Sequence, residues 1–263
     1  MRKNKTGWIY VAVISLIPIL SVFSFGLIKT TNQQSMELIK ITKEIHKDLE
    51  AEKILLFLLN QMDPSSNNIH FPTFEGLDVE VINEESKLNI NRLVLPGGQK
   101  DELWLIVFER LSASLNLGFF NWEDIISKRS KKYSKWSSLG DVFSFNELRK
   151  KDTMAQIDKV FTVHSNGKVN VNTASKIILS ALSQNWVNSD FDWIIKNRPF
   201  DDINQIHEGP IPRSVWEDIK NRITVNGEFY QISIASQDAQ DKSKLRVIVQ
   251  NKKKLWKIIQ WFH

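Results

Sequence analysis

An uncharged apolar run near the N-terminus constrains this chain more than any other feature of its sequence. No charged residue occurs from Gly7 to Ile28, and such a run is long enough to cross a bilayer as one helix, which takes about 20 residues. Three basic residues precede the run, and only Lys29 follows it soon after. The positive-inside rule therefore predicts a cytoplasmic N-terminus, with most of the chain across the membrane. A cleavable secretory signal is the alternative, but no small-x-small site follows the run.

The sequence after this run predicts that the helix continues into water. Residues 29 to 62 contain no glycine or proline, and apolar side chains recur there at helical spacing. The first are Leu38, Ile41, Ile45 and Leu49, and Leu55, Leu58 and Leu59 are expected to continue the same apolar side. A turn-rich stretch from Asp63 to Asn68 ends the predicted helix.

Two hairpins are predicted beyond the helix. From Asp78 to Leu93, apolar and polar residues alternate on both sides of a polar turn that contains Glu84 and Glu85. These paired carboxylates are expected to be solvated. Residues 229–236 and 245–250 alternate in the same way around a second polar turn. The C-terminal residues 255–262 are predicted to form either a last strand or a short covering helix.

Helical patterns occupy the sequence between the two hairpins. One helix is predicted at 103–117, where apolar residues at helical spacing define the side expected to be buried. These residues are Leu103, Ile106, Val107, Leu111 and Leu115. Further helices are predicted at 190–197 and 214–223.

Two shorter signals lie within this helical part. Ser144 stands three residues before Glu147, which fits a capping box for a short helix. The alternation of apolar and polar residues from Val169 to Val171 predicts a short strand. Asn172 or Thr173 is expected to cap the helix that follows.

The N-terminus resembles that of the type IV pilin superfamily. A short basic leader ends in Gly7 and is followed directly by the apolar helix, an arrangement in which a prepilin peptidase cuts after the glycine. The resemblance implies processing between Gly7 and Trp8, so that Trp8 becomes the mature terminus. Ordinary pilins carry a glutamate at the fifth mature position, whereas this chain has Ala12 there.

The lack of that glutamate predicts a place in the filament. In a pilus, the glutamate of an incoming subunit is thought to neutralise the terminal ammonium of the subunit above, since a lone charge in hydrocarbon is costly. With Ala12 this chain cannot make that pairing, but it can offer its own Trp8 ammonium to a subunit below. The hypothesis is therefore that Ala12 is the position that specifies placement at the tip.

Further segments resemble the K-type minor pseudopilin of the type II (general) secretion pathway. They are VEVINEESKLNIN, the pair SFNELRK and VNVNTASKIILSAL, and IIKNRPFDDINQI, and they occur in one order along the chain. The resemblance implies an α+β fold with a long N-terminal helix packed on a small antiparallel sheet and an inserted helical domain of the SAM or helix-hairpin-helix kind. It also implies a structural subunit, not an enzyme, anchored in the inner membrane and exposed to the periplasm. Its implied partners are the I- and J-type minor pseudopilins, the major pseudopilin and the prepilin peptidase.

The resemblance implies the following division of the chain. Residues 1–7 are the cytoplasmic leader, 8–28 the transmembrane part of the helix, 29–62 its extramembrane continuation, 69–96 the first hairpin of the pilin-like sheet, 97–223 the inserted helical domain, and 224–263 the closing strands.

The family often binds calcium in its helical insertion, but the corresponding stretch here, NWEDIISKRSKKYSKW, has basic residues where further carboxylates would be needed. Glu123 and Asp124 are the weak candidate ligands, whereas calcium takes about six to eight oxygens. No cofactor is therefore expected, and calcium is the poorly supported alternative.

Alternative functions are opposed by the residue pattern. The segment from Val169 to Ile206 also resembles helix-hairpin-helix modules of membrane-anchored DNA receptors, but the matching hairpin, Ser183 to Asn188, has no glycine with which to approach a phosphate. The chain has no cysteine, its five histidines are isolated, and it lacks G-x-S-x-G and Walker motifs. Neither nucleic-acid binding nor catalysis is expected. The alternatives are a membrane-anchored DNA-binding protein of the helix-hairpin-helix kind and a minor pilin of a related type IV pilus.

Overall fold

The computed structural model of the chain contains two compact units, Met1–Phe57 and Leu58–His263. It describes residues 29–30, 33–40, 42, 49–60, 74, 76–117, 120–130, 135–143, 151–236, 244–252 and 255–262. The predicted membrane segment 8–28 lies outside these residues, as do Ser144 and Glu147 of the predicted capping box. Within the described ranges, no helix combines the length and the apolar composition needed to cross a bilayer.

The first unit is helical wherever it is described. Residues 29–30, 33–40 and 42 are helical, and a further helix, α1, covers residues 49–60, of which 58–60 belong to the second unit. The absence of glycine and proline from this stretch explains the helix, because neither a flexible residue nor a missing N–H interrupts its hydrogen bonds.

An antiparallel sheet dominates the second unit. Its four described strands are β1 (Leu77–Asn83), β6 (Phe229–Ser236), β7 (Lys244–Lys252) and β8 (Leu255–Phe262), in the spatial order β1-β6-β7-β8. The predicted second hairpin is confirmed as β6 and β7, which pair from Phe229 opposite Gln250 to Ala235 opposite Lys244. The C-terminal residues form a strand and not a covering helix.

The predicted first hairpin is wrong. β1 pairs with β6, its residue Asn83 lying opposite Tyr230, whereas the short strand β2 (Leu88–Asn89) pairs in parallel with β3 (Phe161–Thr162). The alternation of the sequence identified the strands correctly but not their partners, which lie about 150 and 70 residues further along the chain.

Helices fill the sequence between β1 and β6. They are α2 (Glu102–Ser114), α3 (Trp122–Ser130), α4 (Lys151–Val160), α5 (Lys176–Ala181), α6 (Asn188–Lys196), α7 (Asn204–His207) and α8 (Arg213–Ile219). Two short strands, β4 (Val169–Asn170) and β5 (Ile223–Thr224), pair in parallel and bring the two ends of the later helices together. The predicted helices at 190–197 and 214–223 correspond to α6 and α8. Ser175 occupies the N-cap of α5 without a side-chain bond, so the expected cap at Asn172 or Thr173 is wrong.

Aromatic side chains form the centre of the core of this region. Phe108 of α2 stacks on Phe161 of β3 with ring centroids 5.4 Å apart, and Trp122 of α3 meets Phe108 edge-on at 5.1 Å. The predicted face of α2 is partly wrong, because Leu103 is 62% exposed and Ile106 is 43% exposed. Phe108 and its neighbour Trp104, four residues apart, are the bulkiest apolar side chains of the helix, and they determine which face is buried.

Candidate assembly site

The apolar residues of α1 lie on two sides of the helix. Leu49, Leu56 and Phe57 stand at i, i+7 and i+8, which places them on one face, and all three are exposed. Leu55 projects from the other side and is buried. The sequence predicted one continuous apolar side, and the structure instead leaves a second apolar face of α1 exposed to solvent.

Strand β8 carries a second group of exposed apolar side chains. It lies at one edge of the four described strands, with a single paired neighbour, β7. Leu255, Ile259 and Trp261 are all exposed on it. An edge strand with exposed large apolar residues is a common feature of surfaces that bind another chain.

The acidic turn, residues Asn83 to Lys87, is the most unusual polar feature of the protein. The side chain of Asn83 accepts a hydrogen bond from the Glu85 N–H at 2.8 Å and so caps the 3-10 helix Glu84–Ser86. The expectation that Glu84 and Glu85 are solvated is wrong, because both carboxylates are buried. The turn is covered because β1 continues into the helical region instead of turning back in a hairpin.

Glu84 is buried together with its counter-ion. Lys87 Nζ lies 2.7 Å from Glu84 Oε1, and each side chain is only 3% exposed. The hydroxyl of Thr162, on β3, donates to the other carboxylate oxygen of Glu84. These bonds satisfy both oxygens and join the acidic turn to a strand that follows it by more than 70 residues.

Glu85 has fewer partners. The backbone N–H of Phe229, at the start of β6, donates to Glu85 Oε2 at 3.1 Å, whereas Oε1 has no hydrogen-bond partner among the described residues. Burial raises the pKa of the Glu85 carboxyl to about 8, against the opposing effect of nearby backbone N–H groups. Burial also raises the pKa of Tyr230 to about 12, with a smaller contribution from the charge of Glu85.

The raised pKa of Glu85 predicts that stability falls as the pH rises. The folded protein binds a proton at Glu85 between its ordinary value, 4.5, and about 8, whereas the unfolded chain does not. The free energy of unfolding therefore decreases over this range, by at most about 1.4 kcal/mol per pH unit from this group. Glu85→Gln, which is neutral at every pH, should flatten the dependence and exceed the native protein in stability above pH 8.

The measurement is urea denaturation of the full chain in non-ionic detergent across this pH range. Glu80→Gln is the matched control, because Glu80 is an exposed carboxylate on the neighbouring strand β1 and its loss should leave the native slope unchanged. Identical slopes for the native and Glu85→Gln proteins would contradict the prediction.

Each of the weak metal candidates forms an ion pair with a lysine. Glu123 pairs with Lys100 at 2.9 Å, and Asp124 pairs with Lys128 at 2.6 Å, all on the surface of α3 and the loop before α2. Within the described ranges, no three side chains of the metal-ligating types cluster together. The two residues therefore bind lysines, and the expectation that no cofactor is bound stays a prediction.

The loop in the position of a DNA-binding hairpin is organised around a carboxylate. The hydroxyl of Ser183 and the amide of Asn185 donate to the same Asp218 oxygen, at 2.7 and 2.9 Å. In a phosphate-binding hairpin, backbone N–H groups would point at an anion here. A carboxylate at this position repels phosphate, and the expectation that the chain does not bind nucleic acid stays a prediction.

The fold defines an α+β protein in which an antiparallel sheet is joined to a helical region, with a helical N-terminal segment before it. No protein-family model matches the chain. No curated protein matches it. Among solved structures, it is similar to a chain of the GspK-GspI-GspJ complex of the type 2 secretion system from enterotoxigenic Escherichia coli. The TM-score is 0.53 at 13% sequence identity, over 89% of this chain and 99% of the other.

This likeness confirms that the chain has the fold of one subunit of that complex, as the resemblance seen in the sequence implied. The structural likeness spans almost the whole of both chains. The sequence segments that resemble the family are likewise spread over most of this chain. Gly7, Trp8 and Ala12, the residues predicted for processing and tip placement, lie outside the described residues, and their roles stay predictions. Sequence reasoning missed the buried acidic turn, although the motif NEESKLNIN that contains it had been singled out.

Proposed function

We propose that this chain is a minor pseudopilin that occupies the tip of a type II secretion pseudopilus. The observation that carries the proposal is the fold shared with a chain of the GspK-GspI-GspJ complex over 89% of this chain. The family motifs of the sequence support the same assignment independently. The protein acts by assembly and not by catalysis, and its role is to nucleate or cap the filament for protein export across the outer membrane.

The proposed mechanism of assembly uses the helical N-terminal segment. Residues 8–28 hold the subunit in the inner membrane, with the N-terminus in the cytoplasm and the remainder in the periplasm. After cleavage, the ammonium of Trp8 is available to a glutamate of the subunit below, whereas Ala12 has no carboxylate for a subunit above. A chain that can be joined from one side only is suited to the end of a filament.

The exposed apolar face of α1 is the proposed contact with the partner subunits. Leu49, Leu56 and Phe57 present large side chains to solvent, and burying them against another helix is favourable by about 25 cal/mol per Å² of apolar area. The proposed partners are the I- and J-type minor pseudopilins at the tip and the major pseudopilin below. The prepilin peptidase acts on the chain before assembly.

The test of assembly is co-purification of the tagged full chain with the I- and J-type minor pseudopilins. The native protein should retain both, and Leu49→Asp/Leu56→Asp should lose most of the bound partner, because two charges would be buried at the contact. Leu103→Asp/Ile106→Asp is the matched control, since these residues of α2 are also exposed. Partner recovery that is equal for the native protein and the α1 variant would contradict the proposed contact.

Processing is tested separately at Gly7. Gly7→Leu should leave a longer, unprocessed protein, because the leader glycine is the residue that the peptidase requires in the pilin superfamily. The measurement compares electrophoretic mobility in cells with and without the prepilin peptidase. Native protein of the same mobility in both would refute cleavage after Gly7.

A further inference from the structure

A cavity of about 330 Å³ lies where the segment after β2 meets the end of α3 and the turn between β3 and β4. Its wall is formed by the loop 94–98, by side chains that flank that loop and by residues 165–167. The volume falls at the lower end of the range for small-molecule sites, about 300–1,000 Å³. The cavity is therefore large enough for a small ligand but not for a folded partner.

The charged residues that line the cavity are all cationic within the part of the chain that the structure describes. They are Arg92, Arg129 and Lys135, and none of the described lining residues is an aspartate or a glutamate. Arg92 and Lys135 form no salt bridge with a carboxylate of the described residues. Three cations around one concave space produce a positive potential inside it.

Arg129 is held rigidly at the wall. Its side chain is 8% exposed, its Nη1 donates to the carbonyl of Asn91 at 2.6 Å, and its guanidinium lies 4.9 Å from the ring centroid of Trp136. Burial lowers the pKa of Arg129, which means that the charge has lost part of its hydration. Arg129 therefore contributes a fixed positive charge to the wall of the cavity.

Arg92 is positioned by a close approach to the backbone. Gly167 has φ +88°, and a Cβ atom added there would lie 2.3 Å from Arg92 Cδ. A glycine is therefore required at 167 both by the backbone conformation and by the room that the arginine side chain takes. The stem of Arg92 passes over Gly167 and lines the cavity.

Asparagines fix the floor of the cavity. Asn89 donates to the carbonyl and the hydroxyl of Ser165, at 2.9 and 3.0 Å, and Asn91 donates to the carbonyls of Trp136 and Val163, both at 3.1 Å. These bonds join the segments that carry the three cations. The site is thus preorganised, which reduces the entropy lost when a ligand binds.

We propose that this cavity binds a small multivalent oxyanion, of the phosphate or polycarboxylate class, through Arg92, Arg129 and Lys135. The planar guanidinium groups match the geometry of phosphate and carboxylate oxygens, and charge-assisted hydrogen bonds of this kind are the strong ones. The site is independent of the surfaces proposed for assembly, because none of its lining residues belongs to α1 or β8.

The test is isothermal titration calorimetry of the full chain in non-ionic detergent, with inorganic phosphate and, separately, citrate, in chloride buffer at constant ionic strength. Saturable binding of either anion is the expected result. Arg92→Gln/Lys135→Gln should weaken binding by about tenfold or more, because two charge-assisted contacts are lost. Both residues are exposed, so the variant should remain folded, and circular dichroism verifies this.

The matched control removes the same charge elsewhere. Lys159→Gln/Arg213→Gln changes two exposed cations that do not line the cavity and should bind the anions like the native protein. Absence of saturable binding, or equal weakening in both double variants, would overturn the proposal, since the second result would indicate only a general effect of net charge.

A second arm tests the geometry without changing the charge. Gly167→Ala should displace Arg92 and weaken anion binding, whereas Gly76→Ala, at φ +74° with open space around it, has the same backbone strain without the clash. Equal anion affinities for these two folded variants would rule out the assigned role of Arg92.

Discussion

Lys87→Met is expected to lower the free energy of unfolding by about 3–5 kcal/mol, because it leaves the carboxylate of Glu84 buried without its counter-ion. Lys87 Nζ is 2.7 Å from Glu84 Oε1, and both side chains are 3% exposed, so water cannot replace the lost ammonium. Methionine has a similar length and no charge, which limits the change to the electrostatic interaction. Urea denaturation of the full chain in non-ionic detergent provides the measurement.

A double variant distinguishes a lost charge from lost packing. Glu84→Gln/Lys87→Met removes both charges and should recover much of the stability, since replacing a whole buried ion pair is often close to neutral. Lys100→Met is the control for an exposed ion pair and should have little effect. A small effect of Lys87→Met, or a double variant no more stable than the single one, would contradict the account of the acidic turn.

Phe108→Ala is expected to destabilise the protein by about 3–5 kcal/mol, because it opens a cavity at the centre of the aromatic core. Phe108 is fully buried and contacts the rings of Phe161 and Trp122, so several neighbours lose a partner at once. The expected result is a lower urea midpoint with an unchanged slope.

Leu103→Ala, on the same helix, is the control for this substitution. Leu103 is largely exposed, so its truncation removes little buried surface and should shift the midpoint only slightly. Equal destabilisation by the two variants would contradict the exposure of Leu103 that the structure describes.

The strands were predictable because their signal is local. Alternation over a few residues identified β1, β6 and β7, and the turn between the last two fixed their pairing. The partner of β1 was not predictable in this way, because β6 follows it after the whole helical region. The spacing of apolar residues alone cannot show whether a strand pairs with the next strand along the chain or with one near its end.

The buried face of α2 was misjudged for a different reason. The periodic pattern of Leu103 and Ile106 fits a helix as well as that of Trp104 and Phe108, and the choice between them depends on which set meets other aromatic rings. Those rings, from Trp122 and Phe161, come from distant parts of the sequence.

The candidate sites show the same difference between local features of the sequence and contacts between distant residues. Helical spacing identified Leu49 as part of an apolar side but did not show that it is exposed. The burial of Glu84 and Glu85 was not predicted either, since polar turns are usually on the surface. Thr162 and Phe229, which contact these carboxylates, are separated from them by 78 and 144 residues. The cationic cavity likewise combines three segments of the chain, none of which has a ligand-binding motif of its own.

The pairing of β1 with β6 affects the order in which the protein can fold. When the ribosome has made Asn83, its partner Tyr230 is still to be synthesised, so β1 must wait, with its hydrogen-bonding groups unpaired, for the rest of the chain. Closing so long a loop is slow, and an unpaired strand is prone to aggregate in the meantime. Holding factors that shield extended apolar segments during synthesis and export should therefore increase the yield of this protein.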